Sequence, residues 1–147
     1  MTSDAKRPVA KAVNPSGDAP PSFHGDTRPG TILLVDDEFR QRDILKDFLQ
    51  LNGFTVVMAA SGEEALERLA DSSPGVVLLD LKMPGMGGLC TLKKIRESHP
   101  TLPVIIITQV DEDQVMEEAL GLGAYDYLIK PFKFEQLKSV LLTKIFA

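Results

Sequence analysis

Cysteine is almost absent. The 147 residues hold one, Cys90, so no internal disulfide can form, and a lone thiol fits a reducing compartment. Histidine is scarce too: His24 lies in a proline-rich stretch and His99 just before Pro100, a pair that offers neither a metal site nor a phosphohistidine relay. Long hydrophobic runs are missing, and nothing approaches the roughly 18 apolar residues of a membrane span. The opening MTSDAKRPVAKAVNPSGD has no apolar core of the secretory kind, so a cytoplasmic protein with no membrane partner is expected. Positive charge is also in deficit. Sixteen Lys and Arg stand against 21 Asp and Glu, for a net charge of −5 and a pI of about 5.0. That is the wrong sign for gripping a nucleic-acid backbone, and no direct nucleic-acid contact is expected.

What remains is the composition of an ordinary globular protein, 44% hydrophobic and 25% charged, and long enough for one domain with its own core. Residues 1–30 stand apart. They hold five of the ten prolines and almost no periodic apolar residues, and their net charge is +1. Such a segment buries too little to offset the entropy of ordering it, which predicts a flexible leader. From Thr31 the pattern changes to short apolar runs: TILLV (31–35), FTVVMA (54–59), GVVLL (75–79), PVIII (103–107) and AYDYLI (124–129). Unbroken apolarity over four to six residues, rich in Val and Ile, suits strands covered on both faces.

Amphipathic segments separate these runs. Ile44, Leu45, Phe48 and Leu49 share a helical face that ends at Gly53, and Ser61 with Glu64 forms a capping-box signal. Leu89, Leu92 and Ile95 mark a third helix; Val115, Ala119 and Leu122 a fourth, capped by Asp111; Leu137, Val140 and Leu141 a last one running to the end. Five alternating strand–helix units predict an α/β fold, a doubly wound parallel sheet of five strands flanked by five helices. Functional residues in such sheets gather beyond the carboxyl ends of the strands.

Those ends are polar. The first run stops at Asp36-Asp37-Glu38, the third at Asp80, the fourth at Thr108 and the fifth at Lys130-Pro131. A lone aspartate there is commonly the cap of the next helix, but Thr108 and Lys130 share no capping role with it. Clustered carboxylates repel one another and call for a cation, and hard oxygen donors suit Mg2+. A carboxylate can also serve as nucleophile and carry a phosphoryl group. A lysine and a hydroxyl supply charge and a directed donor to phosphoryl oxygens, which is most of what phosphoryl transfer requires.

The motifs LLVDDE, LLDLKMPGMGG, IIIT and YLIKPF, in this order and spacing, resemble the response-regulator receiver domain of two-component signalling, whose fold is of the flavodoxin-like, CheY-like type. The resemblance covers residues 31 to about 145 and assigns 31–147 to one receiver domain. It implies that Asp80 is the phosphoacceptor, that Asp37, Asp80 and the Lys82 carbonyl bind Mg2+ directly, and that Asp36 holds the ion through water. It implies further that Thr108 is the switch hydroxyl, that Lys130 pairs with Asp80 and then with the phosphoryl group, and that Tyr127 is the aromatic switch. The Lys130–Pro131 bond is expected to be cis, and Pro84, Gly85, Gly87 and Gly88 to form the turn over the site. The implied donor is a sensor histidine kinase or a phosphotransfer protein. Catalysis is confined to the domain's own phosphorylation and dephosphorylation.

Because the chain stops just after the last helix, a single-domain regulator is expected, with output through protein contact, including homodimerisation, at the face of the last two helices and fifth strand; the alternative is the receiver part of a longer regulator. Met116, Leu120, Leu122, Tyr127, Lys133 and Lys138 are its candidate surface residues. Four positions vary from or flank the pattern. Gln109 stands where a small residue is usual, Glu38 and Lys82 carry opposite charges that could meet across the mouth, and Val110 cannot orient a water. Cys90 is expected to be a small apolar filler. Two other readings compete: a binding module independent of phosphorylation, which the intact acidic set opposes, and an aspartyl-nucleophile phosphohydrolase, which Lys82 opposes because a second acid belongs there.

Overall fold

The computed structural model describes residues 28–109 and 113–146. Strands β1 (Arg28–Val35), β2 (Thr55–Ala59), β3 (Pro74–Leu79), β4 (Val104–Thr108) and β5 (Asp126–Ile129) alternate with helices α1 (Phe39–Leu51), α2 (Gly62–Ser72), α3 (Gly88–Ser98), α4 (Asp113–Gly121) and α5 (Phe134–Val140). A π-helical turn, Leu141–Ile145, continues α5. Every strand pairing is parallel, in the order β2-β1-β3-β4-β5. The sheet begins earlier than expected. β1 starts at Arg28, which pairs with Pro74 ahead of a register shift before Ile32, so the sheet takes in the end of the segment read as a leader. The rest of that leader, with His24, lies outside the described residues, as do Val110 and the proposed cap Asp111.

Successive strand residues point to opposite faces of a sheet, and here both faces are buried. Leu33, Val35, Val77, Leu79, Val104 and Ile106 pack toward α2, α3 and α4 with Ala65, Leu69, Leu92, Ile95 and Ala119. Ile32, Leu34, Val76, Leu78, Ile105 and Ile107 pack toward α1 and α5 with Leu45, Leu49, Leu137 and Leu141. This alternation explains why the strands read as unbroken apolar runs. Each residue finds a helix, whichever way it points.

The helix ends follow local chemistry. Ser61 Oγ accepts from the Glu64 N–H at 3.0 Å, while Glu64 Oε1 reaches back to the Ala60 N–H at 2.8 Å, one residue beyond the expected partner. That N–H, more than any other contact, holds the Glu64 carboxyl below its ordinary pKa. Gly53 follows α1 with φ of 92°, a conformation that suits glycine.

Three burial expectations fail. Ile44 is 57% exposed although its neighbour Leu45 is buried, and Met116, expected at the surface, is 5% exposed. Cys90 lies exposed on α3, so it fills no core space. Adjacent helical residues sit about 100° apart, so one shift at the edge of an apolar arc exchanges inside for outside. Among the described residues no helix is long and apolar enough to cross a membrane.

Candidate functional site

Backbone pairing carries the sheet one residue past its strand ends and thereby places the polar side chains. The Asp36 N–H donates to the Ala59 carbonyl at 3.1 Å, the Asp80 N–H to Val35 at 3.0 Å, and the Lys130 N–H to Thr108 at 2.8 Å. Asp36, Asp80, Thr108 and Lys130 therefore stand in a row at the carboxyl edge, across the point where strand order reverses between β1 and β3. Asp36, Asp80 and Thr108 are 2%, 7% and 0% exposed, whereas Asp37 is open to solvent.

Each buried carboxylate uses one oxygen to fix its own loop. Asp36 Oδ1 accepts from the Glu38 N–H and Asp80 Oδ1 from the Lys82 N–H, both at 2.9 Å. The other oxygens face Lys130, whose Nζ lies 3.3 Å from Asp36 Oδ2 and 3.3 Å from Asp80 Oδ2. Burial pushes the Asp80 carboxyl above its ordinary pKa. The Lys82 N–H and the Lys130 charge pull it back, and the Asp36 charge adds to the rise.

One carboxylate oxygen from each of Asp36, Asp37 and Asp80 can be chosen so that all three lie within 4.8 Å of one another. Asp37 and Asp80 border a pocket of about 130 Å³ lined also by Glu38, Gln41, Lys82, Gln109 and Lys130. Hard, convergent oxygen donors beside space for water fit Mg2+ and would suit a softer metal poorly. Lys82, whose carbonyl the resemblance adds to this set, is on the loop that begins at Asp80.

The Lys130–Pro131 bond is cis, as expected. Gly88 is demanded by contact: a Cβ there would lie 2.3 Å from Leu81 Cα and 2.6 Å from the Asp80 carbonyl oxygen, so the start of α3 rests directly on the backbone after β3. Tyr127 is half-buried on the face shared with α2, α3 and α4. Gln109 is exposed at the pocket rim.

The expected Glu38–Lys82 pair does not form. Glu38 instead caps α1, its Oε1 accepting from the Gln41 N–H at 2.8 Å, and no ion pair joins it to Lys82 among the described residues. Sequence reasoning also missed Gln41, whose Oε1 accepts from Lys130 Nζ. The available signal was a polar residue in the first turn of the helix that follows the acidic pair. A second, more apolar pocket of about 290 Å³ adjoins the first, lined by Ile44, Leu45, Pro131, Phe132 and Phe134 and sharing Gln41, Gln109 and Lys130 with it.

An acidic cluster of two buried carboxylates and one exposed, with a lysine and a hydroxyl, thus lies at the switch point of a 2-1-3-4-5 parallel sheet. The chain belongs to the response regulator receiver domain family, which it matches over residues 32–142. It is 42% identical over 110 residues to the regulatory protein AtoC of Escherichia coli (strain K12), an alignment covering 75% of this chain and 24% of AtoC. The chain spans about a quarter of the length of the curated relatives it matches.

Among solved structures it resembles the chemotaxis protein CheY4 of Vibrio cholerae, with a TM-score of 0.74 and 30% identity, over 77% of this chain and 96% of that one. It also resembles the CheX–CheY–BeF3–Mg2+ complex from Borrelia burgdorferi, with a TM-score of 0.74 and 28% identity, over 80% of this chain and 89% of that one.

Proposed function

We propose that this receiver domain takes a phosphoryl group onto Asp80 from a sensor histidine kinase or a phosphotransfer protein, with Mg2+ held by Asp36, Asp37, Asp80 and the Lys82 carbonyl. The observation that carries the reading is Asp80 itself: a buried carboxylate with one oxygen fixed by a backbone N–H and the other facing Lys130 at 3.3 Å. The Asp80 oxygen forms the new O–P bond as the donor's P–N bond breaks, and the electron pair leaves with the imidazole nitrogen, which then takes a proton. Lys130 offers its charge to the phosphoryl oxygens, and Thr108, at the end of β4, offers its hydroxyl. Bound Mg2+ would neutralise charge on the transferred group. The Borrelia relative, solved with Mg2+ and BeF3, supports this cation.

Catalysis is limited to the domain's own phosphorylation and dephosphorylation. Thr108 and Tyr127 carry the change toward α4 and β5, and output leaves by protein contact at the α4–β5–α5 face, through Leu120, Leu122, Lys133 and Lys138 or by pairing of two copies. Buried Met116 is not part of that surface. The proposed setting is the cytoplasm.

The test is intact mass after incubation with acetyl phosphate and Mg2+. Wild type should gain one phosphoryl mass and Asp80→Asn none. Base-labile phosphate persisting on the variant would show that another residue is the acceptor.

A further inference from the structure

Lys130 has three N–H donors, and three acceptors surround it: Asp36 Oδ2, Asp80 Oδ2 and Gln41 Oε1. Charge-assisted N–H···O bonds normally settle near 2.7–2.9 Å. Both carboxylates, at 3.3 Å, therefore hold the ammonium at long range. The third acceptor, the Gln41 carbonyl, is neutral. Gln41 stands in the first turn of α1, and its own N–H donates to Glu38 Oε1 at 2.8 Å, so the cap that starts the helix also fixes the residue that meets the lysine. With Lys130 and Gln109, it lines both the acidic pocket and the apolar groove, and so forms part of the wall between them.

We propose that Gln41 is a positioning residue that holds the Lys130 ammonium off the carboxylates, keeping Asp36 and Asp80 oxygens available to a divalent cation. The inference rests on the reading that this cluster binds such a cation. Lysine and cation are rivals for the same oxygens, since each is a positive charge seeking the Asp36–Asp80 pair. If the glutamine carbonyl is removed, the hydrogen-bond acceptors left to the ammonium among the described residues are Asp36 Oδ2 and Asp80 Oδ2. A partly buried ammonium in that position moves to the nearest acceptors, which are the two carboxylates. Closer pairing there would raise the competition the cation has to overcome. Gln41 thus sets cation affinity without touching the ion.

The experiment titrates Mg2+ into the whole chain at matched ionic strength and follows backbone amide resonances of Asp37 and Lys82. It compares wild type, Gln41→Leu, Lys130→Ala and the double variant, with Gln41→Met as a second choice should the leucine variant fold poorly. In parallel, the Lys130 side-chain methylene resonances are recorded in metal-free protein, a readout that a merely structural role would leave alone. Gln41→Leu should weaken Mg2+ binding about tenfold, the low end of what outer-shell partners of metal ligands contribute, and should shift the Lys130 resonances before any metal is added. In the Lys130→Ala background the same substitution should have no effect on affinity, because its intermediary is gone. Equal weakening in both backgrounds overturns the inference, as does unchanged affinity with unmoved Lys130 resonances. A wild type that binds no Mg2+ at any concentration refutes the cation reading itself, an outcome distinct from failure of the Gln41 role alone.

Discussion

Asp80 pays for its function with stability, and the sign can be worked out from its surroundings. Burial raises its folded-state pKa above the unfolded value, more than Lys82 and Lys130 lower it. The folded chain therefore holds that proton more tightly than the unfolded chain does. The stability this brings is full below the unfolded pKa and is lost as pH rises through the folded one. Asp80→Asn keeps the shape but cannot ionise, and Lys130 retains Asp36 and Gln41 as acceptors. In metal-free buffer the variant's advantage over wild type should therefore widen as pH climbs through and just above the ordinary carboxylate range. Urea midpoints measured from acid to neutral pH test this, and an advantage that does not change with pH would refute it.

At the scale of elements, the contact between α3 and the end of β3 is the most exacting in the site. Gly88→Ala would drive a Cβ to 2.3 Å from Leu81 Cα, against backbone that cannot swing aside as a long side chain can. We expect a loss of about 2–3 kcal/mol, in the range of overpacked cores, together with reduced phosphoryl uptake because the displaced loop carries Asp80. A variant within about 0.5 kcal/mol of wild type in chemical denaturation would show that the loop yields more readily than this geometry allows.

The strand ends that carry this site were legible in the sequence because both sheet faces are covered. Apolar runs then continue until the edge, and the first polar residue after each run marks it: Asp36, Asp80 and Lys130, with Thr108 closing β4 itself. Helix faces were less legible. Ile44 and Leu45 are equally apolar, and only the tilt of α1 against the sheet decides which of them is buried; the same holds for Met116 and Cys90. The Gln41–Lys130 contact was beyond reach, since it joins residues 89 apart where the long Lys130 side chain, just past β5, meets the first turn of α1, a meeting that no local pattern encodes. Glu38 was misjudged because its charge suggested a partner in Lys82, while the nearer unpaired N–H of Gln41 satisfied it first.

For the whole molecule, acidic at −5 overall, the densest like charge lies where three carboxylates converge and two of them share one lysine. Without a cation this cluster strains the native state and not the unfolded one, in which the three groups separate. A cation that binds only the assembled cluster must therefore stabilise the fold by mass action. At a Mg2+ concentration ten times its dissociation constant the gain is about 1.4 kcal/mol, which for a domain of this size raises Tm by roughly 4–8 °C. Thermal melts in Mg2+ against NaCl of equal ionic strength separate specific binding from screening, which acts on all exposed charges alike. Asp37→Ala removes the solvent-facing member of the cluster and leaves the buried pair and Lys130 in place, so the variant should fold but lose most of the Mg2+ increment. A full increment retained in Asp37→Ala would discard Asp37 as a ligand, and an equal rise with NaCl would reduce the effect to screening.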